Sequence, residues 1–148
     1  AKLPVTFVKS MDQLPEFTDY SMQNRTYRFM ESDPLYPFGF GLSYTDFEYS
    51  DLKLSKQEFE SDYAGEIKVK MNIKNTGDTA GKEAAQLYLK DLESSVPVAK
   101  YELRGVKAVD LSAGEEKEVE FSLSPRDFAL INDDGQVVLE TGKFKVFG

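Results

Sequence analysis

Any catalysis in this chain would fall to carboxylates, Lys, Tyr or Ser, because two of the usual reagents are missing. It holds 26 Asp and Glu residues but no His and no Cys. Without His it lacks the commonest general base near neutral pH and the commonest metal ligand. Without Cys it has no thiol nucleophile, thiolate metal site or disulfide framework. A pair of carboxylates about 5–10 Å apart can split a glycosidic bond, and the densest groups are Glu115-Glu116, Asp133-Asp134 and Glu31 with Asp33. Each falls in a turn or a connecting stretch, where solvated charge is the simpler reading. A calcium loop starting at Asp133 would need Glu at its twelfth position, and Phe144 stands there. Asn24-Arg25-Thr26 fits a glycosylation sequon, but nothing else points to a glycosylating route. No catalytic residue, metal ligand or cofactor site is assigned, which favours a non-catalytic module.

The aromatics are the other reactive surface. Residues 35–44, LYPFGFGLSY, carry four aromatic rings, one proline, two glycines and no charge. Pro37 fixes its own φ and pushes Tyr36 toward an extended conformation, while Gly39 and Gly41 admit angles that other residues resist. Such a run is neither a regular helix nor a free linker. Tyr27, Phe29, Tyr36, Phe38, Phe40 and Tyr44 fall in or beside it, with Arg25 and Arg28 flanking them. They could form a sugar-stacking platform, although the chain has no Trp. The simpler reading makes them docking anchors between domains, since interfaces favour Tyr, Phe and Arg.

The elements that must position these side chains read as strands. Glu66–Lys74 alternates strictly, with Ile67, Val69, Met71 and Ile73 on one face, as a half-buried antiparallel strand does. Phe47–Leu54 alternates in part, Leu103–Val109 reads as another strand, and Ala85, Leu87 and Leu89 share a face. Val119, Phe121 and Leu123 do the same, and Phe144 and Val146 close the set. Asn75–Asp78, Ser112–Gly114 and Asn132–Gly135 are turn signals, and Ser124-Pro125 could cap a helical turn through Leu130. Strands at this spacing predict an all-β, immunoglobulin-like antiparallel β-sandwich over residues 44–148. Residues 1–34 lack any sustained period, and residues 1–43 are expected to be an extended connector lying on another domain. Within it, the uncharged run to Tyr44 is expected to pack on the sandwich, and residues 8–33 to be held less firmly.

Composition bounds the class. Of the 148 residues 41% are hydrophobic and 13% aromatic, enough for a core. The net charge of −8 argues against nucleic acid or an anionic membrane surface as a partner. No stretch approaches the roughly 20 apolar residues of a membrane span, and the first residues lack a signal-peptide pattern.

Six pieces of the sequence, in order, resemble glycoside hydrolase family 3. They are KLPVTF (2–7), NRTYRF (24–29), the aromatic run, NTGDTAGKEAAQLYL (75–89), ELRGVKAVDLSAGEEKEVEFSL (102–123) and GKFKVF (142–147). Asn24 replaces the family's usual Gly, and Asn too tolerates positive φ. The resemblance implies the C-terminal piece of a longer, bacterial β-glycosidase: a connector and a fibronectin type III-like domain. Such a parent removes terminal β-linked glucose or xylose with retention, and NRTYRF leans toward a xylosidase or arabinofuranosidase. Its location (secreted, periplasmic or cytoplasmic) stays open. The family's catalytic residues lie upstream of this region, so none carries over. The implied partners are the parent's barrel and α/β-sandwich domains and, in an oligomer, a second protomer. The implied role is structural bracing. Two rivals are a carbohydrate-binding module that tethers the enzyme to polysaccharide and a free-standing adhesion-type domain.

Overall fold

In the computed structural model, which describes residues 2–60, 62 and 64–148, a long N-terminal segment is followed by eight strands. Strands β1 (Phe47–Leu54), β2 (Ile67–Asn75) and β5 (Glu116–Leu123) make an antiparallel sheet in the order β1-β2-β5. Strands β3 (Gly81–Asp91), β4 (Glu102–Leu111) and β8 (Phe144–Phe147) make a second, in the order β4-β3-β8. A small hairpin of β6 (Leu130–Ile131) and β7 (Val137–Val138) stands apart. This is the expected all-β sandwich.

The period-2 pattern explains the pairing. In β2, Ile67, Val69, Met71 and Ile73 all point into the core while Lys68 and Lys74 stay exposed. Val69 lies opposite Phe121 and Met71 opposite Val119 on β5, so cross-strand pairs share the buried face. Ala85, Leu87, Leu89 and Leu111 close the core from the second sheet. On the wet face Lys68 meets Glu120 at 3.0 Å and Lys70 meets Glu118 at 2.6 Å, contacts that set register more than stability.

Two details depend on particular residues. A Cβ at Gly105 on β4 would stand 2.6 Å from the Phe121 ring, so this bare backbone is what lets the ring lie between the sheets. Asn75, fully buried, accepts from the Thr45 hydroxyl (2.6 Å) and donates to the Thr79 carbonyl (2.8 Å). It is therefore the buried last residue of β2, tying the entry of β1 to the next turn, and not an ordinary turn residue.

Several expectations shift. The helical turn after Ser124 is a 3-10 turn, Pro125–Phe128, and Leu130 already belongs to β6. The Ser124 N–H and hydroxyl both donate to the Asp127 carboxylate (2.7 and 2.9 Å), which satisfies one turn and no more. Thr26–Phe29 forms a single helical turn, α1, within a stretch that shows no helical rhythm. The N-terminal segment also doubles back on itself. Phe7 donates to Tyr36 (2.9 Å), Leu3 to Phe40 (2.8 Å) and Gly39 to Leu3 (2.8 Å), so residues 2–7 and 36–41 run antiparallel.

Candidate docking surface

Strand β3 is buried on both faces. Ala85, Leu87 and Leu89 point into the core, while Gln86 and Tyr88 point outward and are each only 9% exposed. The cover over that outer face is the N-terminal segment. Gly39, at φ 81°, lies so close that a Cβ would stand 2.6 Å from the Gln86 amide oxygen and 2.7 Å from the Tyr88 hydroxyl. Tyr88 donates to that same Gln86 oxygen (3.0 Å).

Five rings gather there. Phe38 stacks on Tyr27 with centroids 4.2 Å apart, and Tyr27 meets Tyr101 at 5.4 Å and Tyr88 edge-on at 6.5 Å. Tyr88 stacks on Phe147 at 5.6 Å. Offset and edge-on pairs of this kind add about 0.5–1.5 kcal/mol each beyond the burial itself. Burial pushes the Tyr88 hydroxyl up to about 12, with Tyr101 and Tyr27 adding to the shift, and also raises Tyr101.

Polar contacts surround the rings. The Leu103 N–H donates to the Tyr27 hydroxyl (3.1 Å), and the Lys100 N–H donates to the Arg28 carbonyl (2.7 Å). The Lys100 ammonium reaches the Met30 carbonyl, and Arg28 pairs with Glu102 at 3.1 Å. At the far end Lys2 meets the buried Glu83 carboxylate at 2.7 Å, and the Tyr49 hydroxyl donates to the same carboxylate (2.6 Å). Burial first, and then this bond, raise the Tyr49 hydroxyl's pKa.

The aromatic and arginine residues singled out in the sequence therefore separate. Tyr27 and Phe38 enter the ring cluster, and Phe29 lines a neighbouring cleft. Tyr36 packs between Phe40 (5.0 Å) and Phe7 (6.4 Å) but stays 43% exposed. Arg25 turns inward on its own loop and donates to the carbonyls of Glu16 and Asp19, both at 2.9 Å. Met22, Asn24 and Thr26 around it all have positive φ, so the turn is strained as well as braced. Tyr44 packs on nothing: Leu42 is 83% exposed and Tyr44 entirely so. The run to Tyr44 thus docks only as far as Gly41, because the chain leaves the sheet there to bury Thr45 against Asn75. Residues 26–30 are held far more firmly than expected, by Lys100 and Leu103.

The sequence reasoning missed the sandwich's half of this surface: Gln86, Tyr88, Tyr101 and Phe147. The signal available was Ala84–Leu89, six residues without a charge, which reads as a strand buried on two sides. Of the clustered carboxylates, Glu115 and Glu116 are engaged in bonds of the sandwich. Glu115 accepts from the Ser112 N–H (2.7 Å) and pairs with Lys117 (3.0 Å), contacts that lower its pKa, the backbone bond first. Glu116 accepts from the Asn72 amide (2.8 Å). Of the fifteen large hydrophobic residues left exposed among the described residues, ten precede Thr45, Met11, Phe17 and Tyr20 among them.

The family model of the fibronectin type III-like domain matches residues 83–147. A putative β-xylosidase of Formosa agariphila is 44% identical over 98% of this chain and 19% of its own length. Residues 83–147 are a fibronectin type III-like domain, and the chain matches the C-terminal portion of glycoside hydrolase family 3 β-glucosidases and β-xylosidases. Thermostable β-glucosidase B of Acetivibrio thermocellus is 47% identical over 72% of the chain and 14% of its own length. The structure of β-glucosidase 3B from Thermotoga neapolitana superposes on 98% of the chain and 22% of its own, with a TM-score of 0.84 and 34% identity. The fibronectin type III-like chain thus spans about a fifth or less of these relatives, and its matched part is not a catalytic domain.

Proposed function

We propose that this chain is a non-catalytic bracing domain of a β-glycosidase that releases terminal glucose or xylose. Residues 1–43 are the connector and residues 44–148 the sandwich, and the connector fastens the sandwich to the other domains of a longer parent. The observation that carries this reading is the double character of the connector. It covers Gln86 and Tyr88, and it also carries ten of the fifteen large hydrophobics left exposed among the described residues. Exposed apolar residues concentrated on one segment in this way suit an interface.

The test compares one substitution in two settings. Phe17 and Tyr20 are 87% and 85% exposed here, so Phe17→Ser and Tyr20→Ser should leave the Tm of the 148-residue chain within about 1 °C, as surface changes do. In the full-length parent the same pair should lower Tm by several degrees. An unchanged parent would overturn the bracing role. A second reading, a module that tethers the enzyme to polysaccharide, is favoured by the exposed rings of Tyr20 and Tyr44. Retardation of the chain in xylan or cellulose gels would support the tether over the brace.

A further inference from the structure

A cleft of about 380 Å³ opens where the connector, the loop before β4 and the β6–β7 hairpin meet the end of the second sheet. Three guanidiniums line it: Arg28, Arg104 and Arg126. One carboxylate, Glu102, serves two of them, Arg28 at 3.1 Å and Arg104 through one terminal nitrogen. The other two acids in the wall also make local hydrogen bonds. Asp91 accepts from the Glu93 N–H (3.0 Å), and Asp127 accepts twice from Ser124.

The donors are not matched in the same way. Among the described residues the Arg126 side chain makes no hydrogen bond or ion pair, and the buried Arg104 Nε has no acceptor. Arg126 therefore presents a free guanidinium at the cleft, whereas Arg28 and Arg104 share one carboxylate and Asp91 and Asp127 each spend part of theirs on local bonds. Between the arginines the wall is apolar, with Phe29, Val98 and Phe144. We infer that this cleft is a binding site for a small ring-bearing organic carboxylate, whose acid group the arginines take and whose ring lies on the apolar wall. Guanidinium and carboxylate match as two parallel hydrogen bonds, and the volume falls in the range of small-molecule pockets. A uronic acid is the form that a glycosidase parent would meet. That choice of ring rests on the function proposed above, whereas the carboxylate does not.

The test is a titration of the ¹⁵N-labelled 148-residue chain, following amide shifts, with D-glucuronate, cyclohexanecarboxylate, D-glucose and acetate. Saturable shifts confined to residues 28–29, 97–104, 126–131 and 144 are expected with both ring acids, glucuronate being the tighter. Glucose and acetate should bind at least about tenfold more weakly, lacking the acid and the ring respectively. Arg126 is exposed and free, so Arg126→Ala should leave the spectrum folded and weaken glucuronate about tenfold, the cost of one charge-assisted pair. Arg126→Lys, which keeps the charge but not the fork, should fall between. Binding of cyclohexanecarboxylate alone would overturn the sugar assignment and leave the bracing role untouched. Equal binding of glucose or acetate, no saturable shift with either acid, or an Arg126→Ala chain that binds as well as the parent sequence would overturn the site itself.

Discussion

At Gly105 a single missing methyl decides how the two sheets meet. The Phe121 ring occupies the space that a side chain would need, and close-packed cores tolerate added volume poorly. Gly105→Ala should cost on the order of 1–3 kcal/mol and lower the urea midpoint, whereas Gly114→Ala, which meets nothing within 4 Å, should reveal only the strain of its positive φ. Equal losses at the two positions would show that the ring has room to move. The buried tyrosines make a second prediction at this scale. Tyr88 is held protonated to about pH 12 in the folded chain, against about 10 when unfolded. Its contribution is intact below about pH 10 and is lost as pH rises toward the folded value, because the unfolded chain ionises first. Urea midpoints should therefore drop between about pH 10 and pH 12, and Tyr88→Phe should flatten part of that drop. A Tyr88→Phe slope equal to that of the unmodified chain would mean that the hydroxyl is not shielded.

The connector is not uniform as an element. Residues 26–30 and 36–41 are tied down by the sandwich and by residues 2–7, whereas Phe17, Tyr20, Leu42 and Tyr44 stand in solvent. Limited proteolysis should therefore nick first between about Phe17 and Gln23 and next near Leu42–Tyr44, sparing Tyr36–Gly41 and Thr26–Met30. Early cleavage after Phe38 would mean that the ring cluster opens readily. The strands themselves were legible in the sequence because burial on one face writes a period of two. Ile67–Ile73 and Val119–Leu123 show it plainly, and both lie where expected. What period could not reveal was the outer face of β3, since its cover comes from residues some fifty positions away and leaves no alternation. Helix α1 was missed for a related reason. It is one turn long, and Leu103 and Lys100 hold it where propensity alone would not.

For the whole molecule, the sandwich has three layers over part of its area: one sheet, the second sheet, and the connector. The candidate docking residues were legible as a class, because an uncharged aromatic run has few places to go in water. Their individual roles were not, since Tyr27 and Tyr44 look alike in sequence and differ only in what the backbone brings near them. The ring cluster also sets an order of events during synthesis. Its members sit at positions 27, 38, 88, 101 and 147, so the first two leave the ribosome long before their partners exist. Until the strands that carry Tyr88, Tyr101 and Phe147 follow, the rings of Tyr27 and Phe38 lack these partners, and apolar surface bared in that interval is open to pairing with other nascent chains. Strand β8 thus completes the shelter of rings made long before it.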